Sequence, residues 1–174
     1  MSAYPVTPAP MPTAARRPGT LTAAIVVVVM AALAAIVNGI MIATGGSDLI
    51  KDILTDAGLP ADMLTDENLE SAAVIAGYSS LEEFESTFAM RGYLVLAAGV
   101  ALIVFGLLMR KAATWARALV TVSALLALAF SGMIIADETT STMALLAMVT
   151  ILFGLIAIIL TWLPANGRYA KSVS

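Results

Sequence analysis

Four stretches of this chain, residues 21–43, 92–109, 118–136 and 143–163, contain no Asp, Glu, Lys or Arg. An α-helix rises about 1.5 Å per residue, so each run has close to the length needed to cross a hydrocarbon core of roughly 30 Å. In that medium every backbone amide has to be satisfied within the protein, which restricts spanning elements to helices or closed barrels. The runs are continuously apolar and do not alternate, so the predicted fold class is all-α: a polytopic bundle of four transmembrane helices. Composition agrees, with 60 % hydrophobic and 12 % charged residues and a mean hydropathy of +0.97 over 174 residues, where a soluble domain would carry roughly a quarter charged residues.

These runs divide the chain. Residues 1–20 hold Pro5, Pro8, Pro10, Pro12 and Pro18 and little to bury, and are expected to form a disordered tail. Residues 21–43 form span 1, too long and too poor in cleavage-site features for a signal peptide. An acidic helical segment follows over 44–91, then span 2 over 92–109, a basic loop over 110–117 and span 3 over 118–136. A short loop over 137–142, span 4 over 143–163 and a tail over 164–174 complete the layout. The short connections predict that successive spans are antiparallel neighbours.

Basic residues set the expected orientation, because Lys and Arg near span ends are retained in the cytoplasm. With the N-terminus inside, seven basic residues (Arg16, Arg17, Arg110, Lys111, Arg117, Arg168 and Lys171) are cytoplasmic and only Lys51 and Arg91 are not. All twelve acidic residues then face the opposite side. Trp115 and Trp162 fall at the inner interface and Tyr93 at the outer one, where amphipathic rings anchor spans. The expected location is therefore a plasma membrane, with both termini cytoplasmic.

Segment 44–91 carries ten of the twelve acids and is expected to fold as three short helices. Ser47 is the predicted cap of the first, over 48–57, which Gly58-Leu59-Pro60 ends. The second starts after Thr65, with Asp66 and Glu67 in a first turn whose dipole favours them, and ends at Gly77. The third starts from overlapping capping boxes in Ser79-Ser80-Leu81-Glu82-Glu83 and can continue into span 2. Asp48, Asp52, Asp56, Asp66, Glu67, Glu70, Glu82, Glu83 and Glu85 make up the candidate interaction surface, a solvated acidic face.

Lipid is as apolar as leucine, so close packing through small residues has to hold the spans together. Ala24, Ala31 and Asn38 recur every seven residues in span 1, as do Gly92, Gly99 and Gly106 along span 2; Ser123, Ala127 and Ser131 mark span 3, and Gly154 lies in span 4. Asn38, Gly99, Gly106, Ser131 and Gly154 are the candidate packing residues. A hydrogen bond from Asn38, for instance to a serine of span 3, would contribute about 0.6 to 2 kcal/mol.

Several classes of chemistry are disfavoured. The chain has no Cys and no His, which removes thiolate nucleophiles, Cys/His metal sites and imidazole catalysis. Uncharged spans lack the residues on which proton-coupled transporters, ion pumps and voltage sensors depend. The ten methionines form no M-x-x-M or M-x-M pattern suited to cuprous ion and are expected to be packing residues. Asp137-Glu138 and the acids of 44–91 lack a calcium-loop pattern. No catalysis, cofactor, metal or nucleic-acid partner is expected.

The proline-rich start leading through Arg16-Arg17-Pro18-Gly19-Thr20 into span 1, and the close at Trp162-Leu163-Pro164 with Arg168 and Tyr169, resemble the small four-span integral membrane proteins of unknown function found in high-GC Gram-positive bacteria. That resemblance covers the whole layout and implies a bacterial plasma membrane. The order of spans and the large first outer segment are also similar to claudins, but their loop cysteines and tryptophan motif are missing, so their barrier function is not implied.

Two functions remain open: a non-catalytic accessory or scaffold subunit presenting its acidic outer helices to a protein partner or a second copy, and an oligomeric small-molecule channel or transporter subunit. The lipid bilayer is a partner in either case. The orientation is testable in this cysteine-free chain. A cysteine replacing Glu70 should react with an impermeant maleimide added outside intact cells; reaction only from the cytoplasmic side would reverse the topology.

Overall fold

The computed structural model describes residues 17–75, 77–111, 113–137 and 139–173. Most of the expected proline-rich tail, with Arg16 and Glu138, lies outside the described residues. Within them the chain forms helices α1 (Gly19–Thr44), α2 (Gly46–Asp56), α3 (Asp66–Ile75), α4 (Leu81–Leu108), α5 (Thr114–Ala136), α6 (Ser141–Thr161) and α7 (Pro164–Val173), with 3-10 turns at Ala61–Met63 and Met109–Lys111. No strand occurs among the described residues.

Helices α1, α4, α5 and α6, of 26, 28, 23 and 21 residues, are long and apolar enough to cross a membrane. Each of α1 and α5 packs against both α4 and α6, so α1 and α5 lie on one diagonal of a four-helix ring. Chain direction alternates around the ring, making each neighbouring pair antiparallel. The interior mixes small residues with a few large ones such as Leu21, Leu102 and Met143. Alanines such as Ala31, Ala32, Ala35, Ala124, Ala127, Ala147 and Ala157 are fully buried, whereas Val26, Met30 and Leu33 of α1 and Leu145, Met148, Leu152 and Ile159 of α6 are exposed. A belt of large apolar side chains outside and helix contacts rich in small residues suit a lipid surrounding. The protein is a multi-pass membrane protein.

Backbone meets backbone between α1 and α4. A β-carbon on Gly39 would sit 2.6 Å from the Leu96 amide nitrogen and 2.9 Å from the Gly92 carbonyl oxygen, and one on Gly92 would sit 2.5 Å from the Ala43 nitrogen. Farther along, a β-carbon on Gly99 would meet the Ala32 carbonyl oxygen at 3.1 Å, and one on Gly106 would meet Val28 at 2.6 Å. The stripe Val28, Ala32, Ala35, Gly39 and Ala43 thus faces Gly106, Gly99 and Gly92 in antiparallel order. This differs from the stripe through Ala24, Ala31 and Asn38 expected from sequence. Asn38 faces α6, where its side-chain amide donates to the Met143 carbonyl at 3.2 Å, and not a serine of α5. Gly154 lies against Leu128 of α5, and Ser131 is fully buried.

Element ends depart from the expected boundaries in three places. Ser47 lies inside α2 and does not cap it: Gly46 at φ +51° reverses the chain directly after α1, and the Leu49 amide bonds the Gly45 carbonyl at 3.1 Å. Helix α5 starts at Thr114, so Arg117 belongs to its first turn and is 6 % exposed, not part of a solvated loop. Residues 164–173 are helical, opened by Pro164 at the first helical position, where its missing N–H costs nothing. Asn166 joins this helix to the bundle by accepting from Thr20 Oγ1 at 2.8 Å and donating to the Leu160 carbonyl at 2.8 Å.

The α1–α4 seam makes a direct prediction. Gly92→Leu, which forces two backbones apart, should lower unfolding stability in bicelles by about 1 to 3 kcal/mol or more. Gly132→Ala, at a position with no atom within 4 Å of the added carbon, should leave it near the parent. Equal stability of Gly92→Leu and the parent would contradict the seam.

Candidate functional site

The candidate site is the helical cap formed by α2, α3 and the first turns of α4. Its formation is local. Helix α2 ends where the Leu59 amide reaches back to the Leu54 carbonyl at 3.0 Å, with Gly58 at φ +92° making the reversal. Thr65 Oγ1 accepts from the Asn68 amide at 3.4 Å and opens α3. Ser80 caps α4 by accepting from the Glu83 amide at 3.2 Å, and the Glu83 carboxylate in turn accepts from the Ser79 amide at 2.7 Å. This is one half of the capping box expected from Ser79-Ser80-Leu81-Glu82-Glu83; the Glu83 carboxylate reaches Ser79, one residue before the N-cap, and not the Ser80 amide. Helix α4 then runs without a break from the cap through the second span.

Part of the cap's apolar surface is used internally, while Met63, Val74 and Ile75 remain exposed. Leu49 and Ile53 of α2 pack with Ile42, Val95, Ile134 and Met143 at the cap end of the bundle, and Leu69 and Ala73 of α3 are fully buried. Polar ties reinforce this docking. The Asp56 carboxylate accepts from both the amide and the hydroxyl of Ser141, at 2.8 and 3.0 Å, linking the end of α2 to the start of α6. Glu70 accepts from the Leu81 amide at 3.0 Å, linking α3 to the start of α4. Arg91 pairs with Asp137 across α4 and the α5–α6 turn, and its guanidinium carbon sits 5.4 Å from the centre of the Phe88 ring. Lys51 and Asp66 approach to 3.8 Å.

The nine candidate acids therefore separate by role. Asp56, Glu70 and Glu83 are exposed yet committed to amides or hydroxyls of the chain itself. Asp66 faces Lys51 at the surface. Asp48 and Asp52, one turn apart on α2, together with Glu67 of α3 and Glu82 of α4, are exposed and make no hydrogen bond or ion pair within the described residues. Glu85 is half-buried. Under the cap lies a cleft of about 420 Å³ lined mainly by apolar side chains, among them Ile50, Ile53, Phe84 and Phe88, with Arg91 and Asp137 at its polar edge. Tyr78, Phe84 and Phe88 stack in sequence along one wall, with centroid separations of 4.6 and 4.9 Å.

Sequence reasoning missed Arg91, Asp137 and Ser141 as the residues fastening the cap. A signal was available, since Arg91 lies just before span 2 and Asp137 just after span 3, at the same membrane level. No protein-family model, curated protein or solved structure matches the chain.

Hydrogen bonds from the Ser141 amide and then its hydroxyl hold the Asp56 carboxyl below its ordinary range. A depressed carboxyl contributes stability above its unfolded pKa and loses it as pH falls through the folded value. Amides of α2 should therefore exchange hydrogen faster as pH falls through the carboxylate range, after correction for intrinsic exchange. Asp56→Asn should show fast exchange at neutral pH and little further acid response in that helix. Protection of α2 that is the same in both proteins at neutral pH would contradict the tether.

Proposed function

We propose that the protein is a non-catalytic accessory or interaction subunit of a bacterial plasma membrane, with both termini cytoplasmic and the acidic cap outside. Seven basic residues on the side of the termini against two on the cap side favour this orientation. The observation that carries the functional reading is the division of labour within the cap. Leu49 and Ile53 of α2 pack on the chain's own bundle and Leu69 and Ala73 of α3 are buried, while Val74 and Ile75 stay exposed and the side chains of Asp48, Asp52, Glu67 and Glu82 project with no internal partner among the described residues. Like charges repel across an interface, so a cap-to-cap contact between two copies is disfavoured and a protein partner with a basic surface fits best.

A channel or transporter subunit is the second reading. It draws on the buried polar atoms Asn38 Oδ1, Ser131 Oγ and Thr161 Oγ1, which have no hydrogen-bond partner within the described residues and are where waters along a polar path would bind.

A photo-crosslinking residue at position 52, in native membranes, tests the proposal. A discrete protein adduct should form, weaken as salt rises, and disappear when Asp48, Glu67 and Glu82 are changed together to Asn or Gln. Absence of any protein adduct, together with solute flux by the purified chain in liposomes, would replace this reading with the second.

A further inference from the structure

The opposite end of the bundle carries an unusual charge. Arg117 is 6 % exposed, and burying a cation without a counter-ion is costly. Every Asp and Glu of the chain lies within residues 48–85 or 137–138, at or beside the cap. No acidic side chain is available at the Arg117 end. The fold supplies partial compensation: Nε donates to the Thr161 carbonyl at 3.0 Å, and the guanidinium carbon lies 4.6 Å from the centre of the Trp162 ring. Trp162 is held in turn by its indole N–H donating to Thr121 Oγ1 at 2.9 Å. A guanidinium has five N–H donors, and no other hydrogen bond from it forms among the described residues.

Arg117 also lines a cleft of about 480 Å³ between the start of α5, the end of α6 and α7, with Thr114, Trp162, Gly167 and Lys171. One terminal nitrogen of Arg117 lies 3.8 Å from where a β-carbon on Gly167 would be, an ordinary contact distance, so a larger side chain at 167 would reach into the space beside the guanidinium. The first turn of α5 faces the same region, and Ala113 provides it with no side-chain cap. Trp115 and Trp162 are half-exposed at this end of the bundle, the ring type that favours the headgroup level.

We propose that this cleft binds the phosphate group of an anionic lipid, with Arg117 as its principal ligand. Guanidinium and phosphate match in charge and fork geometry, and basic pockets between transmembrane helices are suited to such headgroups. The site is independent of the proposed role of the cap and of which side of the membrane it faces.

The test uses the full chain in nanodiscs of phosphatidylcholine, with phosphatidylglycerol added in increasing fractions. Thermal unfolding and retained lipid are measured, the latter by native mass spectrometry. Phosphatidylglycerol should raise Tm and remain bound, with affinity reduced about tenfold in Arg117→Gln, the loss of about 1.4 kcal/mol expected for one charge-assisted contact. Gly167→Leu leaves every charge in place but fills the cleft, and should weaken binding similarly even if Arg117→Gln fails to fold. Identical responses to the two lipids, or a Gly167→Leu variant that titrates like the parent, would overturn the proposal. Protection by inorganic phosphate in pure phosphatidylcholine, with none from phosphatidylglycerol, would assign the site to a free anion and overturn the lipid.

Discussion

The approach of α1 to α4 at Gly39 and Gly92 is the contact on which the rest of the structure depends. In lipid the hydrophobic effect does not draw one apolar helix to another, so association relies on packing and a few polar contacts. A backbone-to-backbone approach with no side chain between provides that packing. Helix α4 is also the longest element, running from Leu81 in the cap to Leu108. The seam that closes the bundle therefore also fixes the base on which α2 and α3 rest.

With α4 placed, the two ends of the bundle solve different electrostatic problems. At the cap end, acids are abundant and several are consumed by the fold: Asp56 at the start of α6, Glu70 and Glu83 at the start of α4. Carboxylates at helix amino ends meet both unpaired amides and a favourable dipole. At the other end, Arg117 meets no acidic side chain among the described residues and relies on a helix-terminal carbonyl and an indole face. One end thus leaves surplus carboxylates exposed, while the other buries a positive charge.

The spans were legible in the sequence because absence of charge over some twenty residues is a requirement of the medium and does not depend on tertiary contacts. The helix starts at Thr65 and Ser80 were legible for a similar reason, since a capping side chain acts on amides two or three residues away. The face of α1 that meets α4 was not. An alanine- and glycine-rich helix offers several small-residue stripes, and only the partner's glycines decide between the stripe through Asn38 and the one through Gly39. Charge density identified the acidic cap, but not which carboxylates are spent internally, because Asp56 and Ser141 are 85 residues apart in the chain. Arg117 and Asn166 were assigned to a loop and a tail, since helix ends are the least certain feature of a sequence pattern.

The cap is docked on its own bundle through α2, leaving acidic side chains exposed. The most direct measurement uses the absence of native cysteines: Ile53→Cys combined with Met143→Cys, two positions of one buried cluster that leave the Asp56–Ser141 tether intact, treated with a short bifunctional thiol reagent in intact membranes. Rapid crosslinking within one chain, absent when either cysteine is omitted, is the result expected for a docked cap. Failure to crosslink in membranes, while both cysteines remain reactive to a monofunctional maleimide, would mean that α2 stands away from the bundle.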